Sequence, residues 1–190
     1  MFTRDYLPWA LAATLLAPAV ARADMSPAEK DKERAEIRKE VSATLSKLYK
    51  QQAGAKAQIG KAAGYAVLNN FGMKILVAGG GSGKGIAFDK SGKETFMKMI
   101  EVQAGLGMGA KKFSQIWVFR DAAKLERFMS GSFETSGQAN ATAQYNKSGT
   151  AYAGAFTVAD GVWLYQLQGD GLAMELTAKG TKYSRYDELN

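Results

Sequence analysis

Lysine without acidic neighbours is the most distinctive chemical feature of this 190-residue sequence. Residues 41–88 contain no aspartate or glutamate, whereas residues 24–40 carry a net charge of −1 and residues 89–190 a net charge of +1. Ammonium groups donate hydrogen bonds to phosphate oxygens from many directions, so such a segment favours an anionic partner, above all lipid headgroups. The alternative is a solvated helix face that keeps the protein soluble. The candidate lipid-binding residues are Lys47, Lys50, Lys56, Lys61, Lys74 and Lys84.

The residue types that are missing exclude several kinds of catalysis. The chain has no histidine and no cysteine, which removes Ser-His-Asp and Cys-His catalysis, imidazole and thiolate metal ligands, and disulfides. Two catalytic arrangements remain: a serine activated by a neighbouring lysine, and a pair of carboxylates. Neither has a recognisable spacing around the candidate residues Ser82, Ser114, Glu101 and Asp170. We therefore predict a protein that is not an enzyme and that needs no metal or other cofactor.

The first of two glycine-rich runs, residues 79–85, resembles a nucleotide phosphate-binding loop only superficially. Ala78 stands where that motif needs its first glycine, and Gly85 replaces the serine or threonine that would hold magnesium. The residues that follow favour a strand, whereas a phosphate-binding loop leads into a helix. We reject nucleotide hydrolysis for this reason.

The second glycine-rich run lies within residues 94–110, which we predict to be one strand. Alternation then places three glycines on one bare face of that strand and apolar side chains on the other. The bare face either packs closely against another element or forms a groove for an acyl chain or a headgroup. The candidate groove residues are Gly105, Gly107 and Gly109.

The first 23 residues have the form of a secretory signal peptide. Arg4 gives a basic start, residues 7–20 are uncharged and mostly apolar, and Ala21-Arg22-Ala23 forms a small-x-small cleavage site. The 14-residue apolar stretch is shorter than the roughly 20 residues that span a bilayer. We predict a single mature domain over residues 24–190, periplasmic or secreted, without a cysteine for lipid attachment.

Hydrophobic periodicity predicts helices first and strands afterwards. Ser26, Pro27 and Glu29 form a capping box ahead of an apolar stripe, which predicts a helix over residues 27–52. The pattern indicates an α+β fold whose antiparallel sheet is strongly curled and barrel-like. The remaining predicted elements are an Ala-rich helix at 55–63, a short helix capped by Asp121, a loop at 130–150, and strands at 65–68, 74–78, 85–88, 94–110, 113–119, 151–157, 161–168 and 172–179.

The order of these elements resembles the SYLF lipid-binding domain, which is also catalogued as an actin-binding domain of eukaryotic endocytic proteins. The resemblance covers roughly residues 28–190, and its C-terminal part resembles the exported bacterial branch. The similar segments are the two N-terminal helices, the glycine-rich strand that ends near Gly85, the Gly105-Gly107-Gly109 alternation, Trp117-Val118-Phe119, Tyr165-Gln166, Gly171-Leu172-Ala173, Gly180-Thr181-Lys182-Tyr183 and Glu188-Leu189-Asn190.

The resemblance implies phospholipid binding, phosphoinositides in the eukaryotic members, and no established catalysis. It also implies that the basic N-terminal helical region contacts lipid, which here corresponds to Lys47, Lys50, Lys56 and Lys61. Actin binding is not carried over to an exported bacterial-type protein.

Two binding functions remain open from the sequence. The first is docking on anionic phospholipid or a membrane surface through the lysine-rich region. The alternative is a structural or protein-interaction module of the cell envelope, which would use the glycine strand face and the 130–150 loop. Nucleic acid is disfavoured, because an exported protein rarely meets it and no basic-aromatic interleaving occurs in the sequence.

Overall fold

The protein is described by a computed structural model, which covers residues 24–75, 78–104, 109–132, 144–147, 150–169, 171–172 and 181–190. Three α-helices lie within these ranges: α1 (Pro27–Gln51), α2 (Ala55–Lys61) and α3 (Ala122–Met129). The nine strands are β1 (Gly64–Ile75), β2 (Ala78–Asp89), β3 (Glu94–Ala104), β4 (Gly109–Phe119), β5 (Gln144–Tyr145), β6 (Phe156–Ala159), β7 (Val162–Gln168), β8 (Gly171–Leu172) and β9 (Thr181–Arg185).

All described strands pair antiparallel in one sheet, so the α+β class is confirmed. The strand order is β5-β6-β7-β4-β1-β2-β3-β9. The short strand β8 pairs with the last two residues of β7. Within the described residues β5 and β9 lie at opposite ends of this path and do not pair with each other. The strongly curled, barrel-like sheet predicted from the sequence is therefore not confirmed.

The long helix α1 begins as its sequence predicts. The Ser26 amide donates to Glu29 Oε2 at 2.8 Å, and the Glu29 amide donates to Ser26 Oγ at 3.3 Å, which completes the capping box. The helix packs its apolar stripe against one face of the sheet, which we call the outer face. The residues buried between helix and sheet include Ile37, Val41 and Leu48 from α1 and Val67, Ile86 and Ile116 from the strands.

The opposite, inner face of the sheet carries the second part of the core under α3. Trp117 of β4 packs against Phe128 of α3 and Tyr183 of β9, with ring centroids 5.6 and 5.5 Å apart. The Tyr183 hydroxyl donates to Gln115 Oε1 at 2.7 Å. Three strands separate β4 from β9 in the sheet order, so the sheet bends over α3 far enough for these side chains to meet.

The strand boundaries differ from the sequence prediction where glycines interrupt the hydrophobic pattern. The predicted strand 65–68 is part of the longer strand β1, which runs from Gly64 to Ile75. The single strand predicted over 74–78 is wrong, because β1 ends at Ile75 and the antiparallel strand β2 begins at Ala78. The glycine run 79–85 lies inside β2, paired with β1 and β3, so it is not a loop between a strand and a helix.

The single strand predicted over 94–110 is wrong. The chain forms β3 up to Ala104 and begins β4 at Gly109, which lies opposite Lys74 of β1. Alternating hydrophobicity continues through both strands, and it does not reveal where the chain reverses. Other predicted segments lie partly or wholly outside the described residues: the leader 1–23, the loop 130–150 and the strand 172–179.

Two buried tyrosines make the fold sensitive to alkaline pH. Burial raises the pKa of Tyr165 to about 12 and raises the pKa of Tyr183 as well. The unfolded chain ionises its tyrosines near pH 10, whereas these two stay protonated in the folded chain. The contribution to stability is therefore fully present below about pH 10 and is lost as pH rises towards the folded pKa values.

We expect the free energy of unfolding in urea to fall between about pH 9 and about pH 11.5, and to fall less in Tyr165→Phe. The Tyr165 hydroxyl is buried without a hydrogen-bond partner among the described residues, so phenylalanine removes the ionisable group without breaking a contact. Equal losses of stability in the variant and in the wild type would contradict this explanation.

Candidate functional site

A pocket of about 720 Å³ opens between the C-terminal half of α1 and residues of the four strands β1, β2, β4 and β7. We call it the basic cleft, because three lysines from three different elements line it: Lys47 of α1, Lys84 of β2 and Lys112 of β4. Leu167 adds apolar surface to the same cleft, whereas the Phe113 side chain packs into the core on the inner face of the sheet. The arrangement combines positive charge with an apolar side chain.

Strand register brings the polar residues of the basic cleft into one row. Asn69 of β1 lies directly opposite Lys84 of β2 on one side and Ser114 of β4 on the other. Lys112 precedes Ser114 by two residues and therefore shares its face of the strand. Ser82 is related in the same way to Lys84 and also lines the cleft.

Helix α1 is fixed over this row by a polar contact as well as by its apolar stripe. Thr44 is buried, and its hydroxyl donates to Asn69 Oδ1 at 2.8 Å. Lys47 follows Thr44 by three residues, so it lies one helical turn further along the same side of the helix. Its ammonium donates to the carbonyl of Gly169, beyond the end of β7.

The charge of the basic cleft is partly balanced by acids of α1. Lys84 forms an ion pair with Glu33, and Glu40 also lines the cleft. Partial burial lowers the pKa of Lys84, but its hydrogen bond to Glu33 and the nearby charges of Glu33 and Glu36 outweigh burial and raise the pKa overall. Lys84 is therefore fully protonated at neutral pH.

The structure brings only part of the sequence-predicted lysine set together. Lys47 and Lys84 line the basic cleft. Lys50 is exposed on α1, and Lys56 and Lys61 are exposed on α2. Helix α2 ends just before Gly64, and the six residues from Gly64 to Asn69 span about 17 Å of strand. Lys56 and Lys61 therefore lie beyond the start of β1, whereas the cleft lies at the middle of that strand.

The remaining predicted residues are Lys74 and the three glycines of the predicted groove. Lys74 lies five residues beyond Asn69 on β1, opposite Gly79 and Gly109, and its side chain is outside the described part. Gly105 and Gly107 lie outside the described residues, and Gly109 belongs to β4 rather than to the strand predicted to carry all three glycines.

Sequence reasoning missed Lys112 as a member of this site. Lys112 falls outside the acid-free segment 41–88, which contains all of the predicted binding lysines. It reaches the cleft only because β4 pairs with β1 on the side opposite β2. Its alternation with Ser114 was visible in the sequence, but the pairing that places both beside Asn69 was not.

Ser82 and Ser114, the serines considered for a Ser-Lys pair, both line the basic cleft. Within the described ranges, no group of three or more acidic side chains is arranged to hold a metal ion. The same part of the chain contains no helix with the length and apolar character needed to cross a membrane.

Comparison with known proteins relates the chain to one bacterial protein. No family model matches the sequence. The chain is similar to "Beta cell expansion factor A" from Aeromonas veronii, with 29% identity over 149 residues. The match covers 73% of this chain and 52% of that protein, so the chain spans about half the length of the curated relative it matches. Membership of the SYLF family stays a prediction.

Proposed function

We propose that the protein binds anionic phospholipid at the basic cleft and does so without catalysis. The observation that carries the proposal is the convergence of Lys47, Lys84 and Lys112 on one pocket that also contains Leu167. A lipid phosphate would lie among the ammonium groups, and the glycerol end of the lipid would contact Leu167.

The residue types of the cleft suit a lipid headgroup of variable orientation better than a ligand that is held in one fixed orientation. Lysine presents a compact charge on a flexible stem and makes no fixed bidentate contact. The hydroxyls of Ser82 and Ser114 supply neutral donors beside the charges. Such a site binds a phosphate whose orientation varies, as the phosphates of a fluid membrane do.

The expected affinity is moderate and sensitive to salt. Each lysine close to an anionic membrane contributes about 1 kcal/mol, so three contribute about 3 kcal/mol, or about a hundredfold in affinity. Glu33 and Glu40 reduce this attraction, because Glu33 already pairs with Lys84 and Glu40 lines the same cleft. Salt screens both the attraction and the internal ion pair.

Two sequence features support the same proposal. The resemblance to the SYLF domain implies phospholipid binding, and the signal-like residues 1–23 favour a periplasmic or secreted location, where the protein would meet membrane surfaces. The alternative partner, an envelope protein, remains an outcome of the experiment below.

The test compares two triple variants that remove the same charge from different places. We expect Lys47→Gln/Lys84→Gln/Lys112→Gln to lose at most about a hundredfold in affinity for mixed phosphatidylglycerol/phosphatidylcholine vesicles, and at least about tenfold, measured by flotation at low salt. The matched control Lys50→Gln/Lys56→Gln/Lys61→Gln should lose only a few-fold, because none of those three side chains lines the cleft. Urea unfolding of both variants checks that the fold is intact.

Three results would contradict the proposal. Equal losses in the two triple variants would mean that total charge, not the basic cleft, determines binding. Equal flotation with pure phosphatidylcholine would remove the role of anionic lipid. Absence of flotation together with stoichiometric capture of an envelope protein would favour the interaction module instead.

A further inference from the structure

One large apolar side chain stands exposed on the outer face of the sheet. Ile100 of β3 is 58% exposed, and it is the only large hydrophobic residue exposed to this degree among those whose side chains the structure describes. Its neighbours Met99 and Glu101 point to the inner face and are buried. Helix α1 packs over β1 and β2 and leaves this part of β3 uncovered.

Ile100 lies among lysines and serines of neighbouring strands. Ser82 of β2 and Lys182 of β9 are directly opposite Ile100 in the sheet. Two residues earlier on the same face, Lys98 lies between Lys84 of β2 and Ser184 of β9. We call this surface the basic sheet face; it consists of Ser82, Lys84, Lys98, Ile100, Lys182 and Ser184.

The lysines of the basic sheet face are held close together. Lys84 and Lys98 oppose each other across neighbouring strands, a placement of like charges that destabilises a sheet. Their ammonium groups lie 5.7 and 5.4 Å from the centre of the Tyr186 ring, which attracts both. Lys84 also pairs with Glu33, and Lys98 approaches Glu188 at 3.8 Å. An anionic surface would add to this compensation.

We propose that the basic sheet face rests on the anionic bilayer, with Ile100 inserted among the headgroups and its lysines on their phosphates. This inference depends on the proposed function and adds an orientation to it. Lys84 and Ser82 belong both to this face and to the basic cleft. A membrane that covers the face therefore also covers the mouth of the cleft.

A lipid surface fits this face better than a protein does. Specific protein interfaces bury about 800 Å² on each partner around an apolar core from which lysine is depleted. Here one aliphatic side chain is surrounded by Lys84, Lys98 and Lys182. A single shallow apolar insertion ringed by lysines is typical of peripheral membrane contact.

The chain has no cysteine, so a single introduced cysteine can be labelled without background. We place an environment-sensitive nitrobenzoxadiazole dye at Ile100→Cys and, as the matched control, at Lys56→Cys on exposed α2. On addition of phosphatidylglycerol/phosphatidylcholine vesicles, the dye at position 100 should brighten and shift to the blue. The dye at position 56 should stay in its aqueous state.

A second variant separates insertion from headgroup binding. Ile100→Asn should weaken vesicle binding about tenfold and leave binding of monomeric dihexanoyl-phosphatidylglycerol unchanged. If the wild type floats with vesicles but the dye at position 100 stays aqueous, the orientation is wrong and the proposed function stands. If the wild type does not float at all, both proposals fail.

Discussion

Gly85→Val is expected to lower the free energy of unfolding by about 3 kcal/mol or more, enough to remove much of the stability of a small domain. A Cβ atom at this position would lie 1.8 Å from the Val67 carbonyl oxygen and 2.7 Å from the Leu68 Cα. Both are backbone atoms of β1, which is paired with β2 on one side and β4 on the other. The strand therefore has no direction in which to move away.

The matched control for this prediction is Gly60→Ala. No heavy atom lies within 4 Å of a Cβ built at Gly60, which belongs to α2. Alanine there should raise the free energy of unfolding by about 0.5–1 kcal/mol, because glycine is a poor helix former. Urea titration of the two variants measures both effects, and an unchanged midpoint for Gly85→Val would show that the strands are not packed as described.

Leu48→Ala is the second substitution for which we expect a large effect. Leu48 is completely buried between α1 and the outer face of the sheet, and truncating a buried leucine costs about 2–5 kcal/mol. The same helix carries Lys47 into the basic cleft, so loosening it should also weaken vesicle binding.

The control for Leu48→Ala lies two residues further along α1. Lys50 is exposed, so Lys50→Ala should change the free energy of unfolding by no more than about 0.5 kcal/mol. Equal urea midpoints for Leu48→Ala and Lys50→Ala would mean that α1 is not anchored through its apolar stripe.

What the sequence predicted well depends on contacts between residues close in the chain. The capping box of Ser26 and Glu29 joins residues three apart, and Asp121 caps α3 through the Lys124 amide at 2.8 Å. The apolar stripe of α1 is likewise a local pattern. Such signals indicate where a helix begins and which of its faces is buried, and they do not depend on residues far away in the sequence.

The candidate site could not be predicted to the same extent, because strand pairing assembles it. The acid-free segment 41–88 groups Lys61 with Lys84, but Lys61 precedes the start of β1, whereas Lys84 lies opposite Asn69 in the middle of that strand. The same segment excludes Glu33, which nevertheless pairs with Lys84 across 51 positions of sequence. The charge pattern along the chain therefore predicted neither which lysines line the cleft nor which acidic side chains neutralise them.

The position of β9 has a consequence for how the molecule is assembled. Strands β1, β2 and β3 follow one another and pair as neighbours, whereas Met97 of β3 finds its partner Arg185 only near the far end of the sequence. Closing that long loop costs more conformational entropy, so β9 should join after the first hairpins. Until then the edge of β3 that later pairs with β9 presents unpaired amide and carbonyl groups to any other chain. We therefore expect refolding yield to fall with protein concentration even for variants whose native stability is unchanged.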